Sequence, residues 1–166
     1  MQEHTLPCLE LLEATPLILR GLMCELSAED VRWSPAPGRP SIGDVLHQLC
    51  YAEGHRFREV LDAFAAGQNP EIGGAIAGAG APPPESEFDP EDDFDHFEEQ
   101  RETNLEFLRG LPAGFAARTG SHATAGPITA GNVLHQWAAH DLACIRQVAE
   151  VAALRKYLPG GGPLSL

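Results

Sequence analysis

The chain has 166 residues and carries 24 acidic side chains against 11 basic ones, a formal net charge of −13 at pH 7. This length predicts a single domain over residues 1–166, and the acidic balance disfavours nucleic acid and anionic membrane surfaces as partners, since both attract Lys and Arg. The 4 cysteines form no CxxC pair, and neither a secretion signal nor a membrane span is recognisable. We therefore expect a cytoplasmic protein.

Apolar periodicity predicts the first two helices. The first runs from about residue 5 to 26 with a kink at Pro16, and a turn-rich linker follows it. A capping-box pattern at Ser41 begins the second helix, which runs to about Ala66. Residues 67–88 are rich in Gly, Ala and Pro without a period, which predicts a long crossover or a partly mobile loop.

Two further helices are predicted in the second half of the chain. Asp89 followed by Pro90 is typical of a helix start, and this third helix runs to about Arg109. After another loop, Thr129 begins a fourth helix that runs to about Tyr157. No segment shows sustained alternation, so no strand is required. Four long helices with a long crossover between the second and third predict an all-α four-helix bundle.

The fourth helix places an imidazole and a thiol one turn apart at its apolar face. His140 projects to the edge of that face, and Cys144 projects inside it. His135 projects to the solvent side, so His135 and His140 are not a chelating pair. The plain alternative is a hydrogen-bonded boundary histidine beside a core cysteine.

Polar side chains also project onto the apolar faces of the second and third helices. Glu53 and Arg101 predict a buried or half-buried ion pair that fixes helix register, although Arg101 is alternatively an anchor for a substrate carboxylate. His47 lies at the edge of the second helix's apolar face. Together with His140 and Cys144 it offers three soft or borderline ligands, which predict a metal half-site with open positions.

The sequence resembles the DinB-like superfamily of four-helix-bundle metalloproteins over nearly its whole length. LSAEDVRWSPAPGRPSIGDVLHQLCYAEGHRF is similar to the family's linker and second helix, and VLHQWAAHDLACIRQV is similar to its fourth helix. The family pattern H-D-x-x-H-x-x-Q is matched by His140, Asp141 and Gln147, while Cys144 stands where a second histidine is usual. The first metal ligand of the family maps to His47.

The resemblance implies a divalent metal held by His47, His140 and Cys144, most typically zinc or nickel, and otherwise an iron-like ion. It also implies a small-molecule substrate and a homodimer. For the better understood relatives it implies transferase or isomerase chemistry that depends on a low-molecular-weight thiol, such as bacillithiol or mycothiol. A metal-dependent hydrolase is the related expectation.

Three neighbouring residues acquire roles under this interpretation. Asp141 would orient a ligand histidine without contacting the metal itself, and Tyr51 and Trp137 would line the substrate pocket. Helix packing is the alternative role for all three. Cys144 leaves a second interpretation open, because a site with a thiolate in place of imidazole is either softer or degenerate. The alternative function is therefore a non-catalytic, stress-associated binding bundle with a degenerate metal site.

Overall fold

The computed structural model describes residues 6–67, 69–73 and 89–164. It confirms the all-α four-helix bundle. Three of the four long helices are α1 Leu9–Met23, α5 Pro90–Arg109 and α6 Ala130–Ala152. The other is a continuous rod, made of α3 Ile42–Ala52, the π-helical segment Glu53–Arg58 and α4 Glu59–Ala65. Shorter elements are α2 Ala28–Arg32, a 3₁₀ turn Phe115–Ala117, and, after α6, π-helical Ala153–Tyr157, α7 Leu158–Gly160 and a 3₁₀ turn Gly162–Leu164.

Three of the long helices begin at the predicted capping residues. The Ser41 hydroxyl accepts a hydrogen bond from the backbone N–H of Asp44 at 3.1 Å, and the Asp44 carboxylate accepts one from the backbone N–H of Ser41 at 2.8 Å. Thr129 and Asn132 form the same reciprocal pair at the start of α6. Asp89 caps α5. These bonds satisfy N–H groups that a helix start leaves free.

The structure differs from the prediction in two loops. The linker before Ser41 contains α2, which begins with its own capping box at Ser27. The loops also contain three short strands that the sequence pattern did not require: β2 Thr119–His122 pairs antiparallel with β3 Gly126–Thr129, and β1 Glu71–Ile72 joins β2 in parallel. Strands of this length are too short to show a period-two pattern. Of the predicted crossover, residues 74–88 lie outside the described ranges.

The directions of the helices explain why a crossover is needed. The α3–α4 rod and α5 run in the same direction, because His47 lies against Asp93 near the start of both and Arg58 against Asn104 further along. Helices α1 and α6 run parallel to each other and opposite to that pair. A parallel second and third helix require a connection that returns along the bundle.

Two hydrophobic clusters fill the bundle, one on each side of a buried polar layer. The first cluster surrounds Phe57 and Trp137 and reaches the small sheet at Ile72. The second surrounds Leu46 and Phe97 at the other end. The buried face of α6 agrees with the predicted arc: Val133, Leu134, Trp137, Ala138, Cys144, Val148 and Val151 are buried. In the described part of the chain, no helix is both long and apolar enough to cross a membrane.

Candidate functional site

Arg101 is the centre of the buried polar layer in the middle of the bundle. Its side chain is 1% exposed, and its Nε and Nη2 donate to the Glu53 carboxylate at 2.7 and 2.9 Å. Nη1 and Nη2 donate to the Asp141 carboxylate at 2.8 and 3.1 Å, and Nη1 also donates to the carbonyl of Leu12 at 2.7 Å. A guanidinium has five N–H donors, so every donor of Arg101 is used.

The two carboxylates of the layer are equally well satisfied. Glu53 accepts further hydrogen bonds from Trp137 Nε1 at 3.2 Å and from Asn104 Nδ2 at 3.1 Å. Asp141 accepts one from the Thr15 hydroxyl at 2.7 Å. Each of the four long helices thus contributes to one connected network. We call Thr15, Glu53, Arg101, Asn104, Trp137 and Asp141 the Arg101 layer.

The Arg101 layer is arranged to keep a charge buried. Burial opposes ionisation of Arg101, but the carboxylates of Asp141 and Glu53 outweigh it and raise the pKa of the guanidinium. The rings of Phe97 and Trp137 lie 4.9 and 5.5 Å from its central carbon, a cation–π arrangement. The predicted buried pair is therefore confirmed. Since Arg101 has no donor left for a substrate carboxylate, its alternative role as an anchor finds no support in this geometry.

A change of helix type positions Glu53 in this layer. Glu53 begins the π-helical segment, in which each turn holds one more residue than an α-turn, and Glu53, Arg56 and Phe57 are all buried there. Gly54 lies beside α5, where an added Cβ would come within 3.2 Å of the Gln100 amide nitrogen. The wide turn and the small residue let the rod approach α5 closely. Such π-segments are frequent at functional sites.

The predicted donors on α6 lie next to the Arg101 layer. His140 Nε2 is 3.9 Å from Cys144 Sγ, and the His140 ring meets the Phe57 ring edge-on with centroids 5.5 Å apart. His140 Nδ1 is buried and has no hydrogen-bond partner among the described residues. A buried polar atom is normally paired. We call His140 and Cys144 the His140–Cys144 edge.

Burial keeps both groups of this edge uncharged. It raises the pKa of the Cys144 thiol to about 12, and the negative charge of Asp141 adds to the effect. Burial also lowers the pKa of His140, which Asp141 only partly offsets. The guanidinium of Arg56, 8% exposed, lies near enough to lower the pKa of both groups. At neutral pH the edge therefore consists of a thiol and a neutral imidazole.

His47, the third predicted ligand, contacts a carboxylate of α5. Its Nδ1 lies 3.1 Å from the Asp93 carboxylate on α5, and both side chains are 18% exposed. Within residues 6–67, 69–73 and 89–164, no three His, Cys, Asp or Glu side chains are grouped so as to hold a metal ion. The structure thus brings His140 and Cys144 together and leaves His47 apart, and the three-ligand set stays a prediction.

The remaining predicted site residues have packing contacts. The Asp141 carboxylate is bonded to Arg101 and Thr15. Trp137 is 1% exposed and stacks on Phe57 with centroids 5.2 Å apart. Tyr51 is half-buried, and its ring contacts that of His55. Asp141 and Trp137 therefore belong to the Arg101 layer.

Three buried polar residues were missed by the sequence analysis: Thr15, Arg56 and Asn104. Each lies at helical spacing from buried apolar residues, as Thr15 does between Leu12 and Leu19. A search for every polar residue on an apolar stripe would have found them. Their partners are not visible in the sequence, because those partners come from other helices.

The His140–Cys144 edge was tested as a metal-donor pair by its geometry. Zinc binds a thiolate at about 2.3 Å and an imidazole at about 2.0–2.1 Å, so tetrahedral ligands place the two donor atoms about 3.6 Å apart. The observed 3.9 Å is close to that distance. The pair fits as two ligands of one ion, while three protein ligands are usual for a catalytic zinc.

Comparisons with known proteins agree with this architecture. A family model described as the DinB superfamily matches residues 11–147. Among solved structures, the chain resembles YfiT from Bacillus subtilis with a TM-score of 0.66 and 18% sequence identity, over 86% of this chain and 82% of that chain. YfiT is described as a probable metal-dependent hydrolase with an unusual four-helix bundle topology. At this identity the likeness shows the fold. No curated protein matches the chain.

Proposed function

Since this chain belongs to the DinB superfamily, we propose that it is a metal-dependent enzyme in which His140 and Cys144 hold a soft divalent ion, zinc or nickel. The observation that carries the proposal is the 3.9 Å separation between His140 Nε2 and Cys144 Sγ. Two donors one turn apart on a rigid helix need no folding change to share an ion. The description of YfiT supports hydrolysis as the reaction class.

His47 is the proposed third ligand. Its Nδ1 is bonded to the Asp93 carboxylate, an arrangement that would orient the ring so that Nε2 is the ligand atom. A bound ion would supply a nucleophile by lowering the pKa of a water or of a low-molecular-weight thiol at an open position. The protein's own contribution is positional, because Asp141, the residue after His140, is fixed by Arg101 and holds this turn of α6 in place.

A second candidate function is a non-catalytic binding bundle with a degenerate metal site. Two observations favour it. No group of three ligand-type side chains exists in the described part of the chain. In addition, the positive charge of Arg56 acts on both His140 and Cys144, and a cation beside the donors opposes the binding of a divalent cation.

Metal content separates the two candidates. The protein is purified without added metal, its metal content is measured by mass spectrometry, and zinc and nickel affinities are measured by competition with a chelating dye. The enzyme proposal expects about one ion per chain, lost on chelation, together with metal-dependent activity in a screen of ester, amide and thiol-transfer substrates. A metal-free protein that binds neither added ion supports the second candidate.

Variants then test the ligands individually. His140→Ala and Cys144→Ser should both abolish tight binding, whereas His135→Ala, on the exposed face of the same helix, should not. His47→Ala tests the third ligand. Unchanged zinc affinity in His47→Ala would remove His47 from the ligand set and leave the pair to be completed by solvent.

A further inference from the structure

A second thiol–imidazole pair lies on the other side of α6. Cys8 Sγ is 3.2 Å from His135 Nδ1, a hydrogen-bond distance for sulfur. The two residues are far apart in the sequence and meet only because α1 and α6 run parallel. Cys144 is buried, whereas Cys8 is partly exposed and His135 is exposed, so this second pair is accessible.

The backbone at Cys8 is unusual as well. Cys8 is the N-cap residue of α1, with φ 68 and ψ 0, and it is the one residue other than glycine with a positive φ in the described ranges. Such a conformation is strained for a residue with a Cβ, and strained residues are concentrated at functional sites. The usual N-cap side chains hold the helix start by accepting a backbone N–H. Cys8 makes no such cap, and its thiol contacts His135 instead.

The chemistry of the pair follows from its protonation. Partial burial raises the pKa of the Cys8 thiol, so the neutral form prevails near pH 7, with the thiol donating to the imidazole. A neutral imidazole at this distance is placed to take the thiol proton when sulfur forms a bond. The positive end of the α1 dipole then favours the developing thiolate.

We propose that Cys8 is a nucleophilic thiol with His135 as its base, and that it exchanges with low-molecular-weight disulfides. The Cys8 sulfur attacks one sulfur of the disulfide RSSR, and its proton passes to His135 Nδ1. The S–S bond of RSSR breaks as the Cys8–S–S–R bond forms. The released thiolate takes the proton from His135 and leaves as RSH. The disulfide is reduced, Cys8 is oxidised, and a further thiol reverses the reaction.

This site is independent of the proposed metal site. His135 lies on the exposed face of α6, whereas His140 and Cys144 lie on the face toward the rod. Chelation or mutation at Cys144 should therefore leave Cys8 unaffected.

The test compares two cysteines in one molecule. Cys24 is exposed just after the end of α1 and is the internal reference. The reduced protein is treated at pH 7 with 2-hydroxyethyl disulfide, an uncharged probe that the net charge of −13 does not repel. Mixed disulfides are quantified at each cysteine by peptide mass mapping over time.

Three proteins are compared: the parent, His135→Gln, and His96→Gln as a control at an exposed histidine of α5. We expect Cys8 to react about tenfold faster than Cys24 in the parent, a modest part of what general base catalysis achieves in enzymes. His135→Gln should remove that advantage, while His96→Gln should keep it and Cys24 should react alike in all three.

Two results would overturn the proposal. One is a parent in which Cys8 reacts no faster than Cys24, a measurement that needs no variant to fold. The other is a folded His135→Gln protein in which Cys8 keeps its rate, which would leave the Cys8–His135 contact as a structural tie between α1 and α6.

Discussion

The Arg101 layer and the His140–Cys144 edge are adjacent in the bundle and differ in how far their polar groups are satisfied. Asp141 of the layer follows His140 directly in the chain, yet every N–H of Arg101 is bonded, while His140 Nδ1 has no hydrogen-bond partner in the part of the chain that the structure describes. A saturated network has no donor to offer a ligand. The unsatisfied edge retains that capacity, which is why the proposed metal binding is assigned to the edge and a stabilising role to the layer.

Removing the centre of the layer should have the largest effect on stability. Arg101→Met leaves the buried carboxylates of Glu53 and Asp141 without a counter-charge, so we expect the free energy of unfolding to fall by about 3–5 kcal/mol. Urea denaturation followed by circular dichroism measures it. The matched control is Arg109→Met, which removes an exposed pair with Glu13 and should cost about 0–1 kcal/mol. Equal losses in the two variants would refute a special role for the layer.

Substitutions in the His140–Cys144 edge should instead change the affinity for metal. Cys144→Ser should weaken zinc binding by more than about 100-fold, because even partners outside the ligand shell are worth about 10–100-fold. Cys144→His should restore binding, since imidazole is also a zinc ligand. Bound zinc should also protect Cys144 from alkylation. If Cys144→Ser binds zinc as tightly as the parent, Cys144 is a core residue only.

An apolar residue at the edge should stabilise the fold. His140→Leu removes a ring whose buried Nδ1 has no hydrogen bond, and an unsatisfied buried group costs about 1–3 kcal/mol. We expect the free energy of unfolding to rise by about 1 kcal/mol, measured as in the previous experiment. His135→Leu, at an exposed position, is the control and should show no such gain. A loss of stability in His140→Leu would mean that His140 has a partner in solution.

The half-buried ion pair between Asp30 and Arg155 should show the smallest effect. The pKa of Asp30 is lowered to about 2, first by the backbone N–H of Ser27 and then by Arg155. A lowered pKa stabilises the fold above the unfolded value of about 3.9, and this contribution is lost as the pH falls toward 2. Asp30→Asn should therefore melt below the parent at pH 6 and converge with it near pH 2. A constant difference between the two melting curves would contradict this.

The four long helices and most of their buried faces can be predicted from the sequence. The capping boxes at Ser41 and Thr129 join residues three positions apart, so a short stretch contains all the information. The period of apolar residues identifies the buried face of α6 in the same way. The same period predicts the Glu53–Arg101 pair, because a charge on a buried apolar stripe is destabilising unless an opposite charge pairs with it.

Contacts between residues of different helices are specified only by the tertiary structure. Asp141 lies in the Arg101 layer because α6 is diagonally opposite α5, so that their side chains meet in the middle of the bundle. Cys8 contacts His135 because α1 runs parallel to α6. The short strands form only by pairing between distant loops. His47 on the rod bonds Asp93 of α5, whereas Phe57 on the same rod packs against His140 of α6. Local periodicity specifies a helix face, but only packing specifies which neighbour covers it.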